Sequence, residues 1–366
     1  MLLTIFLFTS LLFLSGYVLQ QQTVRSIQAA IKPQIVAPTV TQSPVLAKHF
    51  GAPPGHSFYD KFLASNRPKG GWAKVGYVQI IRYHIEVCNA VMQFAELKRQ
   101  ESMAQRIIFY PKMWEQQRSS QKKPDPILET SMRLLRSAAS QHKVMLQAIE
   151  PAPDAGEGEA LNEADTILFR LISMEATAET LYPLTGLLSL TGFNRLIHLR
   201  PSGLIRDSDQ LDLLFTLPMD TPVLGISANH NGDSEASLVL FEPSDKAYTE
   251  VAERLAGTSY SETDFLHNIP MMTDFAEDQV HLVARTSTLR LENEQFDAAE
   301  FLEMTGYVHL SDPDLPGPEY DVPKDKVSSA RPASIEAGMA WDKSYEVFRQ
   351  QRIEDCGLDL ELFESP

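Results

Sequence analysis

From Trp72 onward the chain alternates short runs rich in apolar and β-branched residues with longer runs whose apolar residues recur every three or four positions. "KVGYVQIIRY" reads as a strand, "HIEVCNAVMQFAELKRQ" has helical spacing, and "QRIIFYP" is a second strand stopped by Pro111, which lacks the N–H to continue a ladder. This is a β-α-β unit. A second unit follows: "DPILETSMRLLRSAASQ" is a helix opening at the Asp125–Pro126 start signal, and "HKVMLQAIEP" is a strand. The acidic loop "PAPDAGEGEALNEAD" precedes the helical runs "TILFRLISM" and "ETLYPLTGLLSLTG", and these lead to the short apolar strand "NRLIHL". Further on, "TPVLGISA" and "ASLVLFEPS" read as strands and "DKAYTEVAERLAG" as a helix closed by Gly257. "GYVHLSDPDLPGP" is a strand running into a Pro-rich loop, and "PASIEAGMAWDKSYEVFRQQR" is a C-terminal helix. Strands alternating with helices predict an α/β fold with a mainly parallel sheet and ligands bound beyond the carboxyl ends of its strands. Arg200, Pro201 and Ser202, which follow "NRLIHL", are therefore expected at a ligand-facing edge.

The first segment, "MLLTIFLFTSLLFLSGYVLQ", carries no charged side chain and reaches the ~17–25 residues needed to span a bilayer. It lacks an A-x-A-like cleavage site, so residues 1–20 read as an uncleaved signal-anchor, with secretion after signal cleavage as the alternative. The first basic residues, Arg25 and Lys32, follow the span and argue weakly against a lumenal C-terminal domain. No Asn-x-Ser/Thr acceptor is present to argue for one. Residues 21–70, rich in Pro, Gln and Ser, read as a stem. The globular domain is expected over 71–325, followed by a helical tail over 326–366.

Of the 366 residues, 43% are hydrophobic and 22% charged, enough apolar content for one sizeable core. A formal net charge of −16 excludes a nucleic-acid partner, because phosphate backbones are gripped through clustered Lys and Arg. The two cysteines, Cys88 and Cys356, are far apart in sequence without CxxC spacing, and each is expected as a separately packed apolar residue. The nine histidines show no metal-finger spacing, and there is no GxSxG, HExxH, Walker or strand-borne GxGxxG motif.

Taken in order, "GYVQIIRYHIEVCNAVMQFAELKR", "RIIFYPKMW", "GFNRLIHLRPSGLIRDSDQLDLLFTLP", "ASLVLFEPS", "GYVHLSDPDLPGP" and "VFRQQRIEDCGLDL" resemble the glycogenin-type glycosyltransferases of family 8. The likeness runs from about Val75 to Leu360 and is nearest to fungal members, including Golgi N-acetylglucosaminyltransferases. It implies a GT-A fold, the Rossmann-like nucleotide-diphospho-sugar transferase architecture. It also implies a UDP-sugar donor, transfer with retention to a glycan or small-molecule acceptor, and a type II anchor that places the domain in the lumen of the Golgi or another secretory compartment.

The family holds a divalent metal on two aspartates at i and i+2, which face the same way on an extended chain. Matched to "HLRPSGLI", those aspartates fall on Arg200 and Ser202, so both metal carboxylates are missing and Mn²⁺ is a doubtful cofactor. The triplet Asp207–Ser208–Asp209 has the right spacing one short strand later, just before "QLDLLF". There it is expected to supply the N-cap and first-turn acids of a helix rather than a shifted metal site. His309 matches the family's third ligand. Its readings are a lone metal ligand, a hydrogen-bond donor to the diphosphate, or a strand-end histidine with a backbone partner. Arg200 offers a guanidinium fork suited to phosphate and is expected to take over the metal's neutralising role, against a solvated residue in a decayed site. The resemblance adds Arg170 as a basic group near the donor and Tyr77 near the base and ribose, with Gln79 beside it. Glu262 and Asp264 are sugar-side acids by the same match, against a helix-capping role. If the site has decayed, the resemblance leaves a catalytically silent binding protein, and a tailoring enzyme of a small metabolite is a further alternative.

Overall fold

In the computed structural model, the residues described are 67–120, 125–151, 178–200, 203–226, 236–255, 261–272, 283–285, 305–310 and 330–357. A 3-10 turn at Trp72–Lys74 leads into β1 (Val75–Ile80), α1 (His84–Arg99), β2 (Gln105–Pro111), α2 (Met113–Ser120), α3 (Pro126–His142) and β3 (Met145–Ile149). After α4 (Ala178–Leu181) and a 3-10 turn at Leu184–Ser189 come β4 (Arg195–Leu199), β5 (Gly203–Ile205) and α5 (Ser208–Asp212). Then follow β6 (Val223–Ile226), β7 (Leu238–Phe241), α6 (Asp245–Leu255), α7 (Glu262–Asn268), β8 (Met271–Met272), β9 (Val283–Arg285), β10 (Tyr307–His309) and α8 (Ile335–Gln351).

The helix ends follow from local chemistry. The Asp125 side chain accepts the Ile127 N–H at 2.9 Å and Pro126 opens α3 without wasting a donor, while Lys143 in the left-handed conformation closes it. The Glu86 carboxylate accepts the backbone N–H groups of Tyr83 at 3.0 Å and Arg82 at 2.7 Å, which fixes the first turn of α1. The run "ETLYPLTGLLSL", uniformly helical by its spacing, breaks into α4 and a 3-10 turn at Pro183.

Seven strands form one sheet in the order β3-β2-β1-β4-β7-β6-β8. The pairs β2–β3, β1–β2, β1–β4 and β6–β8 are parallel, and β7 runs antiparallel to β4 and β6. This is the α/β, mainly parallel mixed sheet that the sequence predicts. Every residue of β1 and β4 is buried, because helices cover both faces. On one face Tyr77, Ile108, Ile197 and Leu240 pack against α1, α3 and Phe348 of α8. On the other, Val78, Ile107, Leu196 and Val239 pack against Leu184, Leu187, Phe265 and Leu266. Alternate residues of one strand thus serve two cores.

A second, three-stranded sheet in the order β5-β10-β9 sits just past β4, with Gly203 opposite His309 and Ile205 opposite Tyr307. Gly203 is required there: a Cβ would overlap the hydroxyl of Tyr307, whose ring lies across it. Gly203→Ala is expected to cost about 1–3 kcal/mol through overpacking. In a thermal melt this lowers Tm by roughly 5 °C; an unchanged Tm would contradict the close approach.

The expectation that the two cysteines pack separately is overturned. Cys88, in the second turn of α1, and Cys356, in the π-turn at Arg352–Cys356 after α8, form a disulfide with a Cα–Cα distance of 5.9 Å across a separation of 268 residues. Sequence distance hid the pairing, since α8 folds back onto α1. There Arg99 bonds Asp355 at 2.7 Å and Gln351 bonds Glu96 at 3.0 Å.

Candidate functional site

The sheet order turns at β1 and β4: β2 and β3 extend to one side, β7 and β6 to the other. In open α/β sheets the crevice beyond the carboxyl ends of such a strand pair is where ligands bind. An arginine follows each strand there. Arg82 follows β1 by two residues, its Nε donating to the Tyr182 carbonyl at 3.0 Å and its Nη2 to the Glu262 carboxylate. Glu262 is the first residue of α7, which Ser261 caps by accepting the Asp264 N–H at 3.2 Å. Arg200 directly follows β4 and is half-buried. Its carbonyl accepts from Gln93 on α1 at 2.7 Å and from the Tyr307 hydroxyl at 2.9 Å, so two elements pin the backbone from which its side chain springs. Gln79 supports Gln93 in turn at 2.6 Å.

Near both arginines is a histidine. His198 stands on β4 level with Val78 of β1 and Val239 of β7 and is 3% exposed. Its Nδ1 has no hydrogen-bond partner among the described residues. Burial first, then the positive charges of Arg82 and Arg200, push its pKa down to about 3, so the ring is neutral at neutral pH. The hydroxyl of Tyr182, beneath Arg82, is also buried without a partner among the described residues. Burial likewise raises the pKa of Glu86, against the two backbone N–H groups that favour its ionised form. Two guanidiniums and a neutral imidazole form a donor set for an oxyanion.

Of the residues picked from sequence, the structure brings Arg200 and Glu262 to this edge. His309 is 5% exposed on β10, paired with Gly203, four residues past the end of β4. Arg170 and Ser202 lie outside the described residues, as does Pro201. Tyr77 is a correction: it is fully buried and faces the α1 side of the sheet, its hydroxyl donating to Asp212 at 2.6 Å and its ring edge-on to Phe215. An odd-numbered position on β1 points into that core rather than toward a ligand, and Gln79 does the same. Asp264 is exposed in the first turn of α7. Asp207 caps α5, its carboxylate accepting the N–H groups of Asp209 at 2.9 Å and Gln210 at 3.3 Å, and Asp209 is a first-turn acid. Sequence reading missed Arg82, His198, Glu86 and Tyr182. The available signal was a basic residue just past each of two adjacent apolar strands, with a histidine inside "RLIHL".

These residues do not fit a divalent cation. The side chains at the end of β4 are a histidine and a guanidinium, which offer no carboxylate, and the Asp207 carboxylate is occupied by helix amides. Among the described residues no three His, Cys, Asp or Glu side chains group as ligands.

No family model matches the chain. Glucose N-acetyltransferase 1 of Gibberella zeae is 22% identical over 264 residues, 68% of this chain and 53% of its own length. The chain thus spans about half the length of the curated relative it matches. Among solved structures, the galactosyltransferase LgtC in complex with donor and acceptor sugar analogues superposes with a TM-score of 0.40 at 11% identity, over 79% of this chain and 97% of that one. The glycosyltransferase GlyE of Streptococcus pneumoniae TIGR4 gives 0.37 at 10% identity, over 75% and 64%.

Proposed function

We propose that this chain is a retaining glycosyltransferase of the GT-A type, similar to family 8, that transfers a hexose or N-acetylhexosamine from a UDP-sugar to a glycan or small-molecule acceptor. The observation that carries this reading is the pair of arginines leaving adjacent parallel strands at the edge where the strand order turns. The ordered run of motifs from Val75 to Leu360 supports it. We place the domain in the lumen of a secretory compartment, on a stem over 21–70 behind a membrane anchor at residues 1–20. A disulfide suits that oxidising environment. No helix among the described residues is long and apolar enough to cross a membrane, and the anchor lies outside them. The missing metal carboxylates favour one other reading, a silent relative that binds the nucleotide sugar without turnover.

The test uses the full chain in mild detergent with UDP-glucose, UDP-galactose or UDP-N-acetylglucosamine, following free UDP. Release from at least one donor above the protein-free rate is expected. If none is released while UDP still raises Tm, the silent reading replaces this one; if UDP has no effect on Tm, the donor site itself is wrong.

A further inference from the structure

A divalent cation does two things for a nucleotide-diphosphate: it offsets the charge and fixes the orientation of the phosphate oxygens. The residues at the carboxyl ends of β1 and β4 meet both requirements with two guanidiniums, while the nearby carboxylates are already engaged, Glu262 by Arg82 and Glu86 by backbone N–H groups. We infer that Arg82, His198 and Arg200 hold the donor's diphosphate directly, without a metal ion. This rests on the donor site proposed above and specifies its chemistry.

The geometry supports each member separately. β1 and β4 are parallel neighbours with Val78 level with His198, so the continuation of that register sets Ile80 level with Arg200 and Arg82 two residues beyond it. The two guanidiniums therefore emerge at one edge on adjacent strands. Arg200 is anchored through its carbonyl by Gln93 and Tyr307, which leaves its position independent of what its side chain contacts. Arg82 has five N–H donors, of which the Tyr182 carbonyl and Glu262 take two. Glu262 offsets the charge of Arg82 and orients its fork, as a carboxylate orients a cation that must meet an anion. His198 adds a hydrogen-bonding group with no protein partner among the described residues, in a place where an unpaired buried polar atom costs stability unless a ligand engages it. Its depressed basicity reports the same field, since both arginines act on it with positive sign. An oxyanion engages all three at once: it accepts from both guanidiniums and accepts from, or donates through a protonated oxygen to, the imidazole.

The test is calorimetric titration of the full chain in mild detergent with UDP and with inorganic pyrophosphate, in EDTA and again with excess Mn²⁺. Both ligands are expected to bind in EDTA, with Mn²⁺ changing Kd by less than roughly threefold. Arg200→Gln, whose backbone contacts survive, is expected to weaken both by about tenfold or more, the loss of one charge-assisted contact. His198→Leu removes a buried polar atom that has no partner, so it is expected to melt above wild type while binding pyrophosphate more weakly. A purely structural histidine would lower Tm and leave the affinity alone. Binding only in Mn²⁺, or wild-type pyrophosphate affinity in both variants, overturns the inference and leaves the donor reading standing. UDP binding under neither condition overturns both.

Discussion

Replacing Cys88 and Cys356 together by alanine is expected to lower stability by about 3–5 kcal/mol and Tm by roughly 10 °C. The bond closes a loop of 268 residues, nearly the whole of the described domain, so it restricts the unfolded chain more than a local crosslink would. Both positions are buried, at 0% and 1% exposure, and alanine leaves no unpaired polar atom in their place. The folded contacts between α1 and the C-terminal helix persist in the variant, because Arg99–Asp355 and Gln351–Glu96 do not involve sulfur. The loss is therefore one of stability rather than of fold, and far-ultraviolet circular dichroism at low temperature should be unchanged. The check is a thermal melt of wild type with and without dithiothreitol beside the double variant. Reductant should bring wild type to the variant's Tm and leave the variant where it is. A wild-type Tm indifferent to reductant would mean the two sulfurs are not bonded in solution.

The sheet was legible because its strands are buried on both faces and its helices on one. "VGYVQI" and "RLIHL" read as continuous apolar runs, and "PILETSMRLLRSAASQ" shows a helical period with a start signal at Asp125–Pro126. The helical cap at Asp207 was legible for a similar reason: an acid immediately before "QLDLLF" has an obvious local partner in the helix amides. What could not be read depends on contacts far apart in sequence. Tyr77 and Val78 look equally suited to a ligand edge until the fold fixes which face each one meets, and Asp212, 135 residues away, claims the tyrosine. The Arg82–Glu262 pair spans 180 residues, and the Gln93–Arg200 bond spans 107. The resemblance of "HLRPSGLI" to a metal-binding segment pointed to Arg200, but it says nothing of His198 or Arg82. Those two emerge only when β1 and β4 are seen to be neighbours.

Asp212 should make wild type less stable as pH rises, the reverse of the usual carboxylate effect. It lies on α5 beneath β1, 2% exposed, and its carboxyl accepts from Tyr77 at 2.6 Å and Ser102 at 2.9 Å. Burial, the largest influence, outweighs those donors; with Asp209 adding to it, the pKa is pushed up to about 7. The folded chain therefore keeps a proton that the unfolded chain releases near pH 4. With more protons bound in the folded state, unfolding free energy falls as pH rises between the two values, by about 1.4 kcal/mol per unit. The penalty is absent below pH 4, grows up to pH 7 and is constant above it, reaching about 4 kcal/mol. Asp212→Asn keeps an acceptor for Tyr77 and removes the titration. Urea unfolding of both proteins from pH 4.5 to 7.5 isolates this one group, because every other titration is shared and cancels in the difference. The expected result is a variant that overtakes wild type as pH rises, with most of the divergence below pH 7. A difference between the two that stays constant across that range would show that Asp212 is ionised throughout, with Tyr77 and Ser102 offsetting the full cost of burying its charge.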